Sequence, residues 1–190
     1  MKELDTFYPT SILEWRTWLE ENHQEKQSIW VICYKQKSGI PSIAWSDAVD
    51  EALCFGWIDS TRKTLDEYRF IQYFGKRKAQ STWSKVNKEK IVRLIEAGKM
   101  TQAGLDIIEL AKKNGSWNIL DTVEELTIPV DLELEFETQP GSKDYFLSLS
   151  KSVRKMMLAW LVLAKRPETR QKRIIELVEA AAKNQKPKQF

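Results

Sequence analysis

Gly56 marks the point at which the pattern of this chain turns over. Before it, Val49, Ala52 and Leu53 fall on one side of a helical repeat opening at Ser46, read as the N-cap, and a glycine in the next position is where such a helix stops in a left-handed cap. After it, residues 57–62 and 68–74 are aromatic and β-branched, separated by a polar turn at 64–67, which is the pattern of a β-hairpin. Beyond the hairpin lies a basic stretch with Trp83, and from Ser84 the spacing is helical again. A chain that changes period twice within some forty residues folds as α+β.

The remaining segments fit around this one. Ser11 and Glu14 have capping-box spacing ahead of a helix that places Ile12, Trp15, Trp18 and Leu19 together and ends near Asn22 and His23. Residues 28–34 (SIWVICY) form a short apolar run suited to a central strand, and a loop with Gly39 and Pro41 follows. Val86, Ile91, Leu94 and Ile95 define a helix stopped by Gly98, and Gly104, Ile107, Ile108 and Ala111 define another stopped near Asn114 and Gly115. Residues 142–149 suit a short helix, residues 153–164 a helix apolar on nearly every side, and Pro167 the first turn of a last helix. The final seven residues read as loose. The expected fold is therefore α+β and predominantly helical. It has a small antiparallel sheet of about three strands near 28–35, 57–63 and 67–74, with a C-terminal helical subdomain. Residues 1–120 form the α+β domain, 121–141 an acidic linker holding at most a short helix or extended arm, and 142–190 the helical subdomain.

Charge is segregated along the chain. Residues 62–93 hold ten Lys/Arg against three Asp/Glu, and 151–190 eleven against three, whereas 121–138 hold seven acids and no base. Two readings stay open: a basic patch for an anionic partner, nucleic acid included, or acidic stretches folded over basic ones as a self-complementary surface. Cys33 and Cys54 lie in apolar runs with no C-x-x-C spacing, which suits buried thiols in the cytoplasm better than a disulfide. The first residues show no signal-peptide pattern, and the longest apolar run, 156–164, is too short to cross a bilayer. The all-round apolar helix leaves room for a homodimer.

Chemistry is narrowed by elimination. One His and two unpaired Cys give no metal set, no nucleotide-binding glycine loop is present, and His23 has no nucleophile signature beside it, so no catalytic residue, metal or cofactor is assigned. Asp59, Asp66 and Glu67 leave a carboxylate pair open, and Asp59 with Ser60 or Ser84 leaves an undescribed enzyme open, although no base accompanies either serine. What stands out is a ligand-binding constellation: Trp57, Asp59, Ser60, Arg77, Lys78, Ser81, Trp83, Ser84 and Asn87, with Arg62 nearby. In this reading Trp57 and Trp83 supply flat walls of a cleft between the hairpin and the helix after Ser84. Arg77 and Lys78 supply charge, and Ser81, Ser84 and Asn87 orient a small anionic ligand or peptide. The same residues also have ordinary uses: a cap at Ser84, core filling by the two Trp, and an ion pair of Asp59 with Arg77 or Arg62.

The runs EALCFGWIDS (51–60), F-x-x-R-K-x-x-S-x-W-S-x-x-N (74–87), GKMTQAG (98–104), AKKNGSW (111–117) and AKRPETR-x-x-RI (164–174) resemble the YdeI/OmpD-associated family of bacteriocin-protection proteins over nearly the whole chain. Gly75-Lys76, Ala79 and Gln102 depart from prolines common at those places. The resemblance implies an association with bacterial resistance to peptide antibiotics, bacteriocins or envelope stress. It brings neither a reaction nor an established active site. By position, its motif residues are Gly56, Trp57, Asp59, Ser60, Arg77, Ser81, Trp83, Ser84 and Asn87.

Overall fold

A computed structural model describes residues 4–190. Among these, nine α-helices accompany one four-stranded sheet, and the chain divides into two compact units, one reaching to Trp117 and the other covering Asn118–Phe190.

The first unit contains the sheet: β1 (Thr6–Phe7), β2 (Ser28–Tyr34), β3 (Trp57–Thr64) and β4 (Arg69–Lys76), in the spatial order β1-β2-β4-β3. The hairpin β3–β4 pairs with β2 as expected. The sheet nevertheless has four strands rather than three, and it is mixed, because β1 lies parallel to β2. Two residues carry no alternation from which a strand can be read. Register sorts the side chains into two faces. Ile29, Val31 and Cys33 of β2 and Phe74 of β4 enter the core, while Trp30 opposite Tyr73 and Ile32 opposite Ile71 lie on the outer face.

Helix α1 (Ile12–Asn22) is capped by Ser11, whose hydroxyl accepts from the Glu14 N–H, while Glu14 reaches back to the Thr10 N–H. Trp15 and Leu19 are buried by it, but Ile12 turns to solvent, contrary to its expected place on the same side. Helix α2 (Trp45–Cys54) begins before Ser46, with Ala44 at the N-cap and no side-chain cap, and Ser46 instead receives the ammonium of Lys90. Helices α3 (Lys85–Glu96) and α4 (Gln102–Lys113) follow the hairpin, capped by Ser84 and Thr101.

The joint between α2 and α4 explains the small residues of GKMTQAG. The Cys54 carbonyl at the end of α2 accepts from both the backbone N–H and the hydroxyl of Thr101, at 3.1 and 2.7 Å. Gly104 then passes so close that a Cβ there would stand 2.3 Å from the same oxygen. Gly56, at φ 73°, turns the chain off α2 into β3.

The second unit is helical: α5 (Asp121–Glu124), α6 (Val130–Glu137), α7 (Ser142–Ser148), α8 (Lys151–Val162) and α9 (Pro167–Ala182). Residues 121–141, read from the sequence as an acidic linker, carry α5 and α6, and Leu132 and Phe136 of α6 enter a core with Phe146, Leu161, Ile174 and Leu177. Asp131 holds Arg170 through two hydrogen bonds, Nε to Oδ2 at 2.6 Å and Nη2 to Oδ1 at 2.8 Å. Met157, Leu158 and Leu161 of α8 are buried, while Met156 and Leu163 face solvent. The expected loose tail is packed instead: the Phe190 ring stands edge-on to Trp160 at 5.7 Å. Among the described residues, no helix is long and apolar enough to cross a membrane.

Candidate functional site

Where β4 leaves the sheet, three separate stretches of sequence meet. The Arg77 N–H donates to the carbonyl of Gly56 at 2.9 Å, fastening the strand exit to the cap of α2. The chain then turns, with the Ser81 N–H on the Lys78 carbonyl, and runs to Trp83. This loop is tied from outside by residues 111–117: Asn114 Nδ2 and Ser116 Oγ both donate to the Ala79 carbonyl, at 2.7 and 3.3 Å, and Trp117 packs on Trp83 with ring centroids 4.9 Å apart. The runs FGW, RKAQSTW and AKKNGSW are thus parts of one construction.

Arg77 lies at its centre. The guanidinium carbon stands 3.6 Å from the centroid of the Trp83 ring, Nη2 donates to the Thr82 carbonyl, and only 6% of the residue is exposed. Nε and Nη1 are buried with no hydrogen-bond partner among the described residues. Burial pushes the guanidinium down to about 10, against the opposing pull of Asp59, so it remains charged at neutral pH. A buried charge bonded through only one of its nitrogens is costly, and the Trp83 stack offsets part of that cost.

Two cavities adjoin this residue. The larger, about 620 Å³, has the outer sheet face as its floor (Ile58, Tyr73, Gly75) and Lys76, Arg77, Lys78 and Ser81 as one side, with Gln27 and Ser60 completing the lining. The smaller, about 360 Å³, shares Lys76 and Arg77 and lies between His23, the Phe55–Trp57 corner and Ala103 and Ile107 of α4. Among the described residues no carboxylate lines either cavity. Lys76 is engaged with the Gln24 carbonyl at 2.7 Å, while Lys78 is exposed and its ammonium has no partner among the described residues.

Of the nine residues picked out by sequence, the structure brings Ser60, Arg77, Lys78 and Ser81 to the larger cavity. Trp57 and Trp83 are each 1% exposed and belong to the core, so the expected aromatic walls are not presented to a ligand; Trp57 touches only the smaller cavity. Ser84 and Asn87 do not line either cavity, and the Ser84 hydroxyl accepts from the Asn87 N–H as an ordinary cap. Asp59 makes no direct pair with Arg77 or Arg62; its Oδ2 accepts from Trp45 Nε1 at 2.9 Å and Gln72 Nε2 at 3.2 Å. Asp66 and Glu67 sit at the far tip of the hairpin, bonded to Arg69 and Lys37, so no carboxylate pair forms with Asp59. Tyr73, Lys76, Gln27 and Ile58 were not singled out. The alternation of β4 was the available signal, since it sends Tyr73 and Gly75 to the face opposite Phe74.

Elsewhere acids and bases are interleaved as the self-complementary reading of the charge pattern expects: Asp50 takes both Lys90 and Arg93, Glu51 takes Arg16 at 2.8 Å, and Glu124 takes Lys155. Among the described residues no cluster of His, Cys, Asp and Glu is arranged to hold a metal ion.

Fold and site define a two-unit α+β protein with a cationic cavity at the exit of its sheet. The chain belongs to the family described as a domain of unknown function (DUF8412), whose model matches residues 7–107. Residues 125–184 match a second family model, described as Bacteriocin-protection, YdeI or OmpD-Associated, which supports the resemblance read from the sequence. The two matches divide much as the two units do. The motif stretch around Gly56 and Arg77 falls under the first, and AKRPETR-x-x-RI under the second. No curated protein and no solved structure matches the chain.

Proposed function

We propose that the protein binds a small anionic ligand in the 620 Å³ cavity beside Arg77, as a cytoplasmic binding protein of the resistance type that the second family description suggests. The observation that carries this reading is an arginine 6% exposed whose guanidinium has two nitrogens unpartnered among the described residues, flanked by Lys76 and Lys78 in a cavity that no described carboxylate lines. An anion entering there meets positive charge in a partly desolvated setting, where charge-assisted hydrogen bonds are strongest. The Ser81 hydroxyl, which makes no hydrogen bond among the described residues, lines the same cavity and is available to complete the anion's shell. The buried, unpaired thiols of Cys33 and Cys54 support the cytoplasmic assignment.

Lys78 gives the cleaner test, since Arg77 contributes to the core by stacking on Trp83. Calorimetric titration with inorganic phosphate, sulfate and acetate should show binding of at least one anion, and Lys78→Ala should weaken it about tenfold, the worth of one charge-assisted contact, at unchanged melting temperature. Absence of binding by all three to the wild type, or full affinity in Lys78→Ala, overturns the assignment.

A further inference from the structure

We infer that the ligand of this cavity is a mononucleotide, its phosphate at the Arg77–Lys78–Ser81 side and its base laid on the sheet beside Tyr73; the inference rests on the anion-binding reading above. The cavity has two chemically different halves. Its charged half is the loop after β4. Its other half is the outer sheet face, where Ile58 and Gly75 are directly opposed and Tyr73 lies two residues before Gly75 on the same side. Gly75 keeps that floor flat: a Cβ there would come within 3.3 Å of Tyr73 Cε1 and 3.2 Å of the Gln27 carbonyl. Trp30, edge-on to Tyr73 at 5.2 Å and 74°, fixes the tyrosine ring in place.

An inorganic anion satisfies the charged half alone and leaves the apolar floor wet. A volume of about 620 Å³ is also far more than such an ion fills, and lies within the range of pockets for organic ligands. A ligand matching both halves carries a planar ring and an anionic group together. Stacking on an aromatic side chain accepts any base, because every base has a π-face. Edge recognition then falls to Gln27 and Ser60, whose side chains make no hydrogen bond among the described residues and line the same cavity. Gln27 offers both donor and acceptor, as a base edge requires.

The test is calorimetric titration of the full chain with AMP, GMP, CMP and UMP in turn, with adenosine and inorganic phosphate as the separate halves, on the wild type, Tyr73→Leu and Lys78→Ala, each checked for native circular dichroism. At least one mononucleotide is expected to bind about tenfold or more tighter than phosphate, from the stacking of one base. Tyr73→Leu should reduce that mononucleotide to the affinity of phosphate while leaving phosphate itself unchanged, and Lys78→Ala should weaken both. Equal affinities for phosphate and every mononucleotide, or indifference to Tyr73→Leu, overturn the nucleotide inference and leave the anion site standing. Adenosine binding as tightly as AMP, or no binding of phosphate or of any mononucleotide, removes the inference by taking the charged half from it.

Discussion

Two arginines, one in each unit, meet their surroundings in opposite ways. Arg170 has Nε and Nη2 on the Asp131 carboxylate and Nη1 on the Leu161 carbonyl at 3.1 Å, so its fork is fully used. Arg77 is more deeply buried, yet spends one nitrogen on the Thr82 carbonyl and leaves Nε and Nη1 unbonded over the Trp83 ring. The first is accounted for by the fold of its own unit, since it ties α6 to α9 and its partner is held ionised. The second is not, because a desolvated charge with no carboxylate in contact among the described residues, and only the more distant pull of Asp59, is costly to hold. On the proposed reading, the difference separates a structural cation from one kept for a ligand.

The contrast can be pressed at several points. The heaviest blow to the first unit falls at Gly104, where any side chain must displace the Cys54 carbonyl 2.3 Å away. Gly104→Val should cost about 3 kcal/mol or more in urea denaturation, by overpacking a joint made of backbone, and an unchanged midpoint would refute the close approach. In the second unit, Asp131→Ala should cost about 1 kcal/mol, modest because both partners retain solvent contact. The Arg170 hydrogen bond holds the Asp131 carboxyl below its ordinary range. A depressed acid stabilises the folded state above its unfolded pKa and loses that contribution as pH falls through the folded value. The acid limb of the stability curve should therefore flatten in Asp131→Ala, and an identical limb would dismiss the pairing.

Ser84→Ala sharpens the distinction between site and scaffold. Loss of the cap on α3 should cost about 1 kcal/mol, while anion affinity stays at the wild-type value because Ser84 does not line the cavity. A drop in affinity without loss of stability would return Ser84 to the site. The smallest effect concerns Cys33 and Cys54, whose burial pushes both thiols up to about 11. Neither should be alkylated in the native protein at pH 8, and both should react in denaturant; rapid native labelling would contradict their burial.

Much of the fold was legible because its signals are local. Ser11 and Ser84 announce their helices by capping, Gly56 and Gly98 end theirs with φ of 73° and 65°, and β2 shows in an apolar run. Strand β1 was invisible because two residues have no period, and α6 because its buried pair, Leu132 and Phe136, is interleaved with acids and follows Pro129. The lining of the candidate cavity was only partly legible. Composition pointed to Arg77, Lys78, Ser60 and Ser81 but could not tell a buried indole from a ligand wall, since tryptophan serves both uses. Asn114 and Ser116, which hold the 77–83 loop in place through the Ala79 carbonyl, lie more than thirty residues away, and only the folded chain unites them.

Arg77→Met bears on the central claim most directly, since it removes the charge and keeps much of the volume. Urea denaturation and phosphate titration should be run on this variant beside Arg170→Met. If Arg77 is kept for a ligand and not for the fold, the variant should stay within about 1 kcal/mol of wild type, or exceed it, while phosphate affinity falls about tenfold or more. A loss of about 2 kcal/mol or more, larger than that of Arg170→Met and with phosphate binding intact, would show Arg77 to be a structural residue and contradict the account.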